Sequence, residues 1–440
     1  MRHLLLSAVA AACLIFPASA ADADLSQSVQ AQWDGGLNDL WTHFHANPEL
    51  SFRESKTAER MAQELAAAGF EVTPGVGQTG VVGIMENGPG PVLMIRADMD
   101  GLPVKEDSRL PVMSTVTQVD IDGIEKPVMH ACGHDVHIAS MVGAARELQK
   151  RRDDWSGTIV MVVQPAEERI GGAKAMMEDG LYTRFPKPDM AIAFHVAAGI
   201  PAGKIVMESG LTYSSSDSVD ITIHGVGAHG ASPHAGKDPV LMGAEMVMLF
   251  QTLVSREIAP LQPGVVTVGS FHSGFKHNII SDRADLQLTV RSDDNEVRDK
   301  LIAGIRRIAE HVGRLNDLPE DKLPEVRVGF ESTPVTVNDE ALTTRMRTAF
   351  TEQFGDDILH SEPREGMGAE DFAYFVAPNT DVPGGYFAVG GTPQADLDAE
   401  AAGGPPVPSH HSPFFRIDAE SSVTTGAEAM TAAALSLLAK

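Results

Sequence analysis

The chain has 440 residues, with 60 acidic side chains against 34 Lys and Arg and a formal net charge of −26. That balance argues against nucleic-acid phosphates or anionic lipid as partners. The length exceeds what one hydrophobic core usually serves, so two domains are expected. No apolar run after residue 20 is long enough to span a bilayer.

Residues 1–20 combine one arginine, an apolar run from Leu4 to Phe16 and the small residues Ala18-Ser19-Ala20, the parts of a cleaved signal peptide. The mature chain is expected to start at Ala21 and to be exported, to a periplasm or to the medium. Ala10-Ala11-Ala12-Cys13 is a poor lipoprotein box, and cleavage would remove Cys13. Of the 2 cysteines, Cys132 is then left with no partner for an intrachain disulfide. A lone thiol there is a buried small hydrophobe, a nucleophile or a metal ligand.

From Trp33 to Gly69 the apolar spacing is helical, closing on the Ala-rich stretch Met61 to Ala68 and a glycine stop. Pro91 to Ile95, Thr158 to Val163 and Met190 to Phe194 are continuous apolar runs bounded by Gly, Pro or charge, the pattern of buried strands. Val136 to Lys150 and Gly172 to Asp179 read as helices. This alternation predicts an α/β fold around a mostly parallel central sheet.

After Pro201 the pattern changes. Ser218 to His224, Gly264 to Phe271 and Ala284 to Arg291 alternate as half-exposed strands, with helices at Pro239 to Glu257 and Glu296 to Val312. The β-α-β-β-α run predicts most of a ferredoxin-like α+β domain, inserted at 209–318 between a first part at 21–208 and a second at 319–440. The polar segment Asn316 to Glu325 is expected to return the chain to the first domain. A helix at Asp339 to Phe354, a strand at Tyr386 to Val389, a Gly/Pro-rich loop at 391–409 and an Ala-rich helix follow.

The chemistry gathers at strand ends. Arg96-Ala97-Asp98-Met99-Asp100, Gln164-Pro165-Ala166-Glu167-Glu168 and His195 each follow one of the three buried strands. Ligands of open α/β sheets bind at that edge, so these residues are expected to converge there. Cys132 and His134 precede a helix on a turn. Thiolate, imidazole and carboxylate suit Zn²⁺, and Mn²⁺, Co²⁺ or Ni²⁺ where oxygen and nitrogen ligands dominate. For this segment alone, a capped helix start with a buried cysteine is the alternative.

Adjacent glutamates at 167 and 168 are costly at a sheet edge without a cation or a shared proton. Their side chains point different ways, so one can bind metal while the other faces water. Metal-assisted hydrolysis requires that division, because the metal lowers the pKa of water toward ~7 and a free carboxylate takes the proton. Asp98 is the candidate carboxylate for the second N–H of a metal-bound histidine. In the inserted domain, Asn278 and Arg291 are candidates to hold a substrate carboxylate, arginine through its two-pronged fork. For Arg291, a surface ion pair with Asp293 or Asp294 is the alternative. His410-His411-Ser412-Pro413 offers a fifth ligand to a two-metal site that Cys132, His134, Glu168 and His195 leave undersupplied.

The segments Arg-Ala-Asp-Met-Asp-Gly-Leu-Pro, Met-His-Ala-Cys-Gly-His-Asp, Gln-Pro-Ala-Glu-Glu and Gly-Ala-Glu-Asp-Phe, in that order, resemble the dinuclear-metal aminoacylase and carboxypeptidase superfamily of metallopeptidases. The likeness is to its amidohydrolase branch, with the hippurate hydrolases and the plant indole-acetyl-amino-acid hydrolases, and it covers nearly all of the mature chain. The resemblance implies two divalent ions, with Cys132, His134, Glu168, His195 and His411 as ligands and Glu167 as general acid/base. It implies that His229 stabilises the oxyanion, from its own or the other subunit, and that the inserted domain is a lid through which a homodimer forms. Residues 114–128 depart from the family as a longer link and 391–409 as an enlarged loop. The expected substrate is an N-acyl-amino acid cleaved at its amide. An exported dipeptidase or carboxypeptidase using the same site is the alternative, with a non-catalytic periplasmic binding protein behind it.

Overall fold

The computed structural model describes residues 22–364 and 366–440. The expected signal peptide lies outside the described residues. A seven-stranded sheet runs in the order Glu71–Val76, Gly80–Asn87, Gly157–Gln164, Val92–Asp98, Met190–Pro201, Gly384–Thr392 and Ile205–Val206. The four strands from Gly157–Gln164 to Gly384–Thr392 are mutually parallel, and the strands flanking them are antiparallel. Helices His134–Lys150 and Ala419–Leu437 bury their apolar sides on one face, with Leu93, Ile95, Ile159 and Ile192. Met94, Val160, Ala191 and Phe372 form the core on the other face. Both faces are therefore dry, which is why the central strands read as unbroken apolar runs.

Register decides where the polar residues emerge. Asp98 pairs with Gln164, and His195 with Ala388, so the residues that end these strands lie at one edge. The expected single helix from Trp33 to Gly69 is interrupted. Helix Asn38–Ala46 stops before Pro48, and Ser55–Ala67 begins a new one. Proline disfavours helical geometry in the residue before it. The intervening turn buries Glu49, whose carboxylate accepts the N–H groups of Lys56 and Thr57 at the start of the second helix.

A separate antiparallel sheet has the order Gly264–Ser273, Arg283–Ser292, Ser215–His224 and Glu325–Thr333. Helices Pro239–Thr252 and Asn295–Leu315 pack on it through Met242, Met246, Phe250, Leu301 and Ile305. Its last strand lies beyond residue 318, where the sequence pattern placed the end of this unit. Val326 and Val328 face the helices, while Glu325 and Arg327 keep the outer side polar, so the strand reads as a linker. The main sheet's unit resumes only after Thr333, where Thr336–Asn338 pairs with Gly210–Tyr213. Two further segments carry more order than expected. Residues 391–409 contain the helix Gln394–Ala401, and 114–128 contain the hairpin Thr117–Val119 with Glu125–Pro127.

His45 ties three segments together. Its Nδ1 lies 2.8 Å from Asp135 in the first turn of His134–Lys150, and its Nε2 lies 3.1 Å from Glu106, all buried. Burial disfavours the protonated ring, but the bonds to Asp135 and Glu106 outweigh it and raise its pKa to about 10. An unfolded histidine titrates near 6.5. Stability from this proton is therefore complete below that value and lost as pH rises through about 10. The gap in urea-unfolding free energy between wild type and His45→Gln should shrink from pH 7 to pH 10, by at most about 1.4 kcal/mol per pH unit. A gap that is constant with pH would show that the ring is neutral in the fold.

Candidate metal centre

The turn at Gln164-Pro165-Ala166-Glu167-Glu168 is held by its backbone. Ala166 and Ile170 adopt φ of 48° and 51° on either side of a 3-10 turn at Glu167–Arg169. Left-handed conformations of non-glycine residues cost about 1–3 kcal/mol and persist where surroundings enforce them. Two buried acids do so here. Glu54 accepts the Ala166 N–H at 2.8 Å, and Asp100 accepts those of Glu167 and Glu168 at 3.1 Å each. The glutamate side chains are left free to face the cleft. Gly133, at φ 83°, makes the corresponding turn between Cys132 and His134, and a Cβ there would lie 2.3 Å from Val196.

Around these turns the expected ligands meet. Cys132 Sγ is 3.4 Å from His195 Nε2, whose Nδ1 donates to the Val196 carbonyl at 2.6 Å. Glu168 reaches both ways, with Oε1 3.8 Å from His134 Nε2 and Oε2 3.4 Å from His411 Nε2. Ligand atoms of Cys132, Glu168 and His411 lie within 4.8 Å of one another, as do those of Asp98, His134 and Glu167. Nε2 of His134 and Oε1 of Glu168 are buried without a hydrogen-bond partner. Such groups are costly unless something else satisfies them.

The electrostatics point the same way. Burial and the neighbouring Glu370 and Glu168 push the Glu167 carboxyl well above its usual range. Burial raises Glu168 to about 8, against the pull of His134. Burial opposes a charge on His134, yet Asp98 and Asp100 draw its pKa up to about 10. The Cys132 thiol is pushed up by burial and by Glu168. The protein alone thus holds this cluster by retaining protons, and divalent cations would displace them. A donor set of thiolate, imidazole and carboxylate fits such ions.

The two adjacent histidines face different partners. His411, at φ 63°, aims its Nε2 at Glu168 and is largely exposed. His410 lies behind it, where its Nε2 accepts the Ala198 N–H at 3.0 Å and its Nδ1 is 3.8 Å from Cys132 Sγ. An imidazole accepting through Nε2 carries its proton on Nδ1, which leaves no lone pair for an ion. His137, three residues after His134, is similarly occupied. Its Nδ1 lies 2.5 Å from Asp98, and its Nε2 accepts the Val196 N–H. Asp98 is bonded by His137 and Arg96, while Asp100 is the carboxylate nearer His134 Nδ1, at 3.2 Å.

Sequence reasoning left three contributors without a role. Arg96 is fully buried and donates to Gln164, Asp98 and Glu370 at 2.8, 2.7 and 2.6 Å. Glu370 lines the cleft and also takes the Tyr386 hydroxyl at 2.5 Å. Asp371 accepts from Gln164 and from the Ala173 N–H. The signal was a charged residue inside an apolar strand, answered by the acids of Gly-Ala-Glu-Asp-Phe.

A cleft of about 490 Å³ covers the cluster, lined by Cys132, Glu167, Glu168, His195, His411 and Arg291 among others. Arg291 donates to the Met367 carbonyl at 3.0 Å, and burial lowers its pKa. Neither nearby acid takes it, since Asp293 pairs with Arg364 and Asp294 caps the helix Asn295–Leu315. His229 and Asn278 are not brought to this cleft. They adjoin on the ribbon Ala228–His229 with Ile279–Ile280, where His229 is exposed.

Carboxylates, imidazoles and a thiol gathered at the C-terminal edge of an α/β sheet form a candidate metal centre, and the family to which the chain belongs makes it that of a metal-dependent hydrolase acting on amides. The chain belongs to peptidase family M20/M25/M40, whose model matches residues 94–436. It is 37% identical over 346 residues to the hippurate hydrolase of Campylobacter jejuni, covering 78% of this chain and 85% of that protein. It is 37% identical over 350 residues to thermostable carboxypeptidase 2 of Saccharolobus solfataricus, covering 79% of this chain and 83% of that one. The crystal structure of a Bacillus subtilis dinuclear metal binding peptidase of the M20 family superposes with a TM-score of 0.72 at 26% identity, over 94% of this chain and 99% of that one.

The geometry separates the histidines experimentally. After dialysis against a weak chelator, His411→Ala should lose metal, its affinity lowered by more than the about 10–100-fold that loss of a mere hydrogen-bond partner of a ligand causes, as read by elemental analysis. His410→Asn should retain near wild-type metal content. The reverse order would make His410 the ligand.

Proposed function

We propose that this protein is an exported, dimeric amidohydrolase that cleaves N-acyl-amino acids with two divalent ions, zinc or manganese, held by Cys132, His134, Glu168, His195 and His411. One observation carries the reading. On a turn gripped through its backbone, Glu168 extends toward ligand atoms while Glu167 stays buried in the cleft with its proton affinity raised. When bound, the ions act as Lewis acids and make a water acidic enough to lose a proton near neutral pH. Glu167 takes that proton as the water attacks the carbonyl carbon, and delivers it to the leaving amine nitrogen as the C–N bond breaks. Arg291, which has no carboxylate hydrogen-bond partner among the described residues, holds the carboxylate of the amino acid.

His229 and Asn278 act on a second copy of the chain. His229 stands exposed and Asn278 half-buried on a ribbon of the separate α+β unit, beside exposed Val226, Phe275 and Ile279. Leu241, Met248 and Leu249 on helix Pro239–Thr252 are also exposed, the apolar surface a dimer would cover. Export rests on the composition of residues 1–20, and cleavage there would remove Cys13 and leave Cys132 unpaired.

Glu167→Gln should keep its metal and lose about 10²–10⁴-fold in kcat; near wild-type turnover would remove Glu167 from proton transfer. Arg291→Ala should raise KM for acyl-amino acids far more than for their carboxamides, and an equal rise on both would remove the carboxylate contact. Mixing inactive Glu167→Gln and His229→Ala homodimers should restore activity if each site draws His229 from the other copy. No recovery on verified subunit exchange would place His229 in its own chain's site. A matched panel of dipeptides separates the carboxypeptidase reading, which the Saccharolobus relative favours.

A further inference from the structure

Tyr213 stands where the two units of the fold meet. It ends the short strand Gly210–Tyr213, from which the chain crosses into the α+β unit at Ser215–His224. Its ring lines the cleft with Glu167, Glu168 and Arg291, and lies edge-on to that of Tyr386, with centroids 5.2 Å apart. Ser216, just beyond it, pairs with Arg291, so neighbouring strands deliver Tyr213 and Arg291 to the cleft. Burial, and then Glu370, Cys132 and Glu167, push the pKa of the Tyr213 phenol well up, which sets its hydroxyl among the groups that carry the chemistry.

Hydrogen-bond direction around this hydroxyl follows from Arg96. Both terminal guanidinium nitrogens and the Phe372 N–H donate to Glu370, which fixes that carboxylate as an acceptor. The Tyr386 hydroxyl has one proton and gives it to Glu370 Oε2 at 2.5 Å. Burial keeps both phenols protonated, so the hydrogen bond between the hydroxyls of Tyr213 and Tyr386 uses the proton of Tyr213. What the Tyr213 oxygen has left for a ligand is lone pairs, and it meets the cleft as an acceptor.

In an N-acyl-amino acid one carbon separates the amide nitrogen from the carboxylate. A carboxylate on Arg291 therefore brings the scissile N–H beside the neighbours of Arg291, and that N–H needs an acceptor once water is displaced. The carbonyls on this side are engaged, Met367 by Arg291, Gly368 by the Ser214 N–H and Glu370 by Thr333 and Thr336. We propose that the Tyr213 oxygen accepts the N–H of the scissile amide, so that Tyr213 selects secondary amides over esters and N-alkylated amides. An ester brings an oxygen lone pair, and an N-methyl amide a carbon, to the place where Tyr213 offers its own lone pairs. The assignment rests on the reading of the cleft as that of an N-acyl-amino acid amidohydrolase.

The test uses the metal-loaded enzyme and three substrates that share one acyl group and one carboxylate. They are the N-acyl-amino acid, its N-methyl derivative and the ester with oxygen in place of N–H. Tyr213→Phe keeps the ring and removes the acceptor. Its kcat/KM should fall about 2–10-fold on the amide and hold at wild-type values on the other two. Tyr386→Phe frees the Tyr213 proton to face the cleft, and it should also lower the ratio of amide to ester turnover. Where an analogue is not cleaved, the same comparison is made as calorimetric affinity in the Glu167→Gln background. An equal fall on all three substrates would make the role of Tyr213 structural and overturns the assignment, as does an unchanged rate on the amide. In both cases cleavage by the wild type leaves the amidohydrolase reading standing. Failure of the wild type to cleave any acyl-amino acid overturns that reading instead.

Discussion

A single guanidinium with no exposure to solvent underlies the architecture of the site. Arg96 sits inside a parallel strand and joins the ends of two strands to the Glu370-Asp371 turn. A buried cation is tolerable only when paired and fully hydrogen-bonded, and removing one partner leaves an uncompensated charge. Asp98, Glu370 and Gln164 satisfy it, and each in turn positions something else. Asp98 accepts from His137, Gln164 donates to Asp371, and Glu370 takes Tyr386.

What Arg96 neutralises is only part of the negative charge at this sheet edge. Asp371 is raised to about 8 by burial and by Glu370, despite Arg96 close by. Glu167 and Glu168 crowd the same space, and their proton affinity is raised for the same reason. A site built this way takes up cations or protons, and both are what hydrolysis of an amide uses. The raised proton affinity of Glu167 and Glu168 therefore has one cause, incomplete neutralisation in a dry cleft.

Much of this was legible in the chain. The three apolar runs gave the central strands because their burial on both faces leaves an unbroken pattern. The polar residues after each run located the site, since parallel strands in register bring their ends together. Glu167, Glu168 and His195 converge for that reason, and the turn at Gly133 before helix His134–Lys150 brings Cys132 and His134 to the same edge. The fourth strand of the second sheet, Glu325–Thr333, alternates at its start as its partners do, but it follows directly on the polar segment from Asn316 that reads as the link back to the first domain. The interruption at Pro48 was masked by helical spacing on either side of it.

Residue identity and order determined which chemistry this protein can hold: a thiol, imidazoles and paired glutamates, placed at strand ends and on a turn before a helix. Only the tertiary structure decided which atoms are free to use it. His410 and His411 are equivalent in sequence, but one ring is spent on the Ala198 N–H and the other faces Glu168. Arg291 lies near two acids in the chain, and both are drawn to other partners. His229 and Asn278 meet on a ribbon away from the cleft that their own chain builds. The reason is that a hydrogen bond or ion pair occupies a lone pair or a charge once, and the competition for it is settled by contacts between residues distant in sequence.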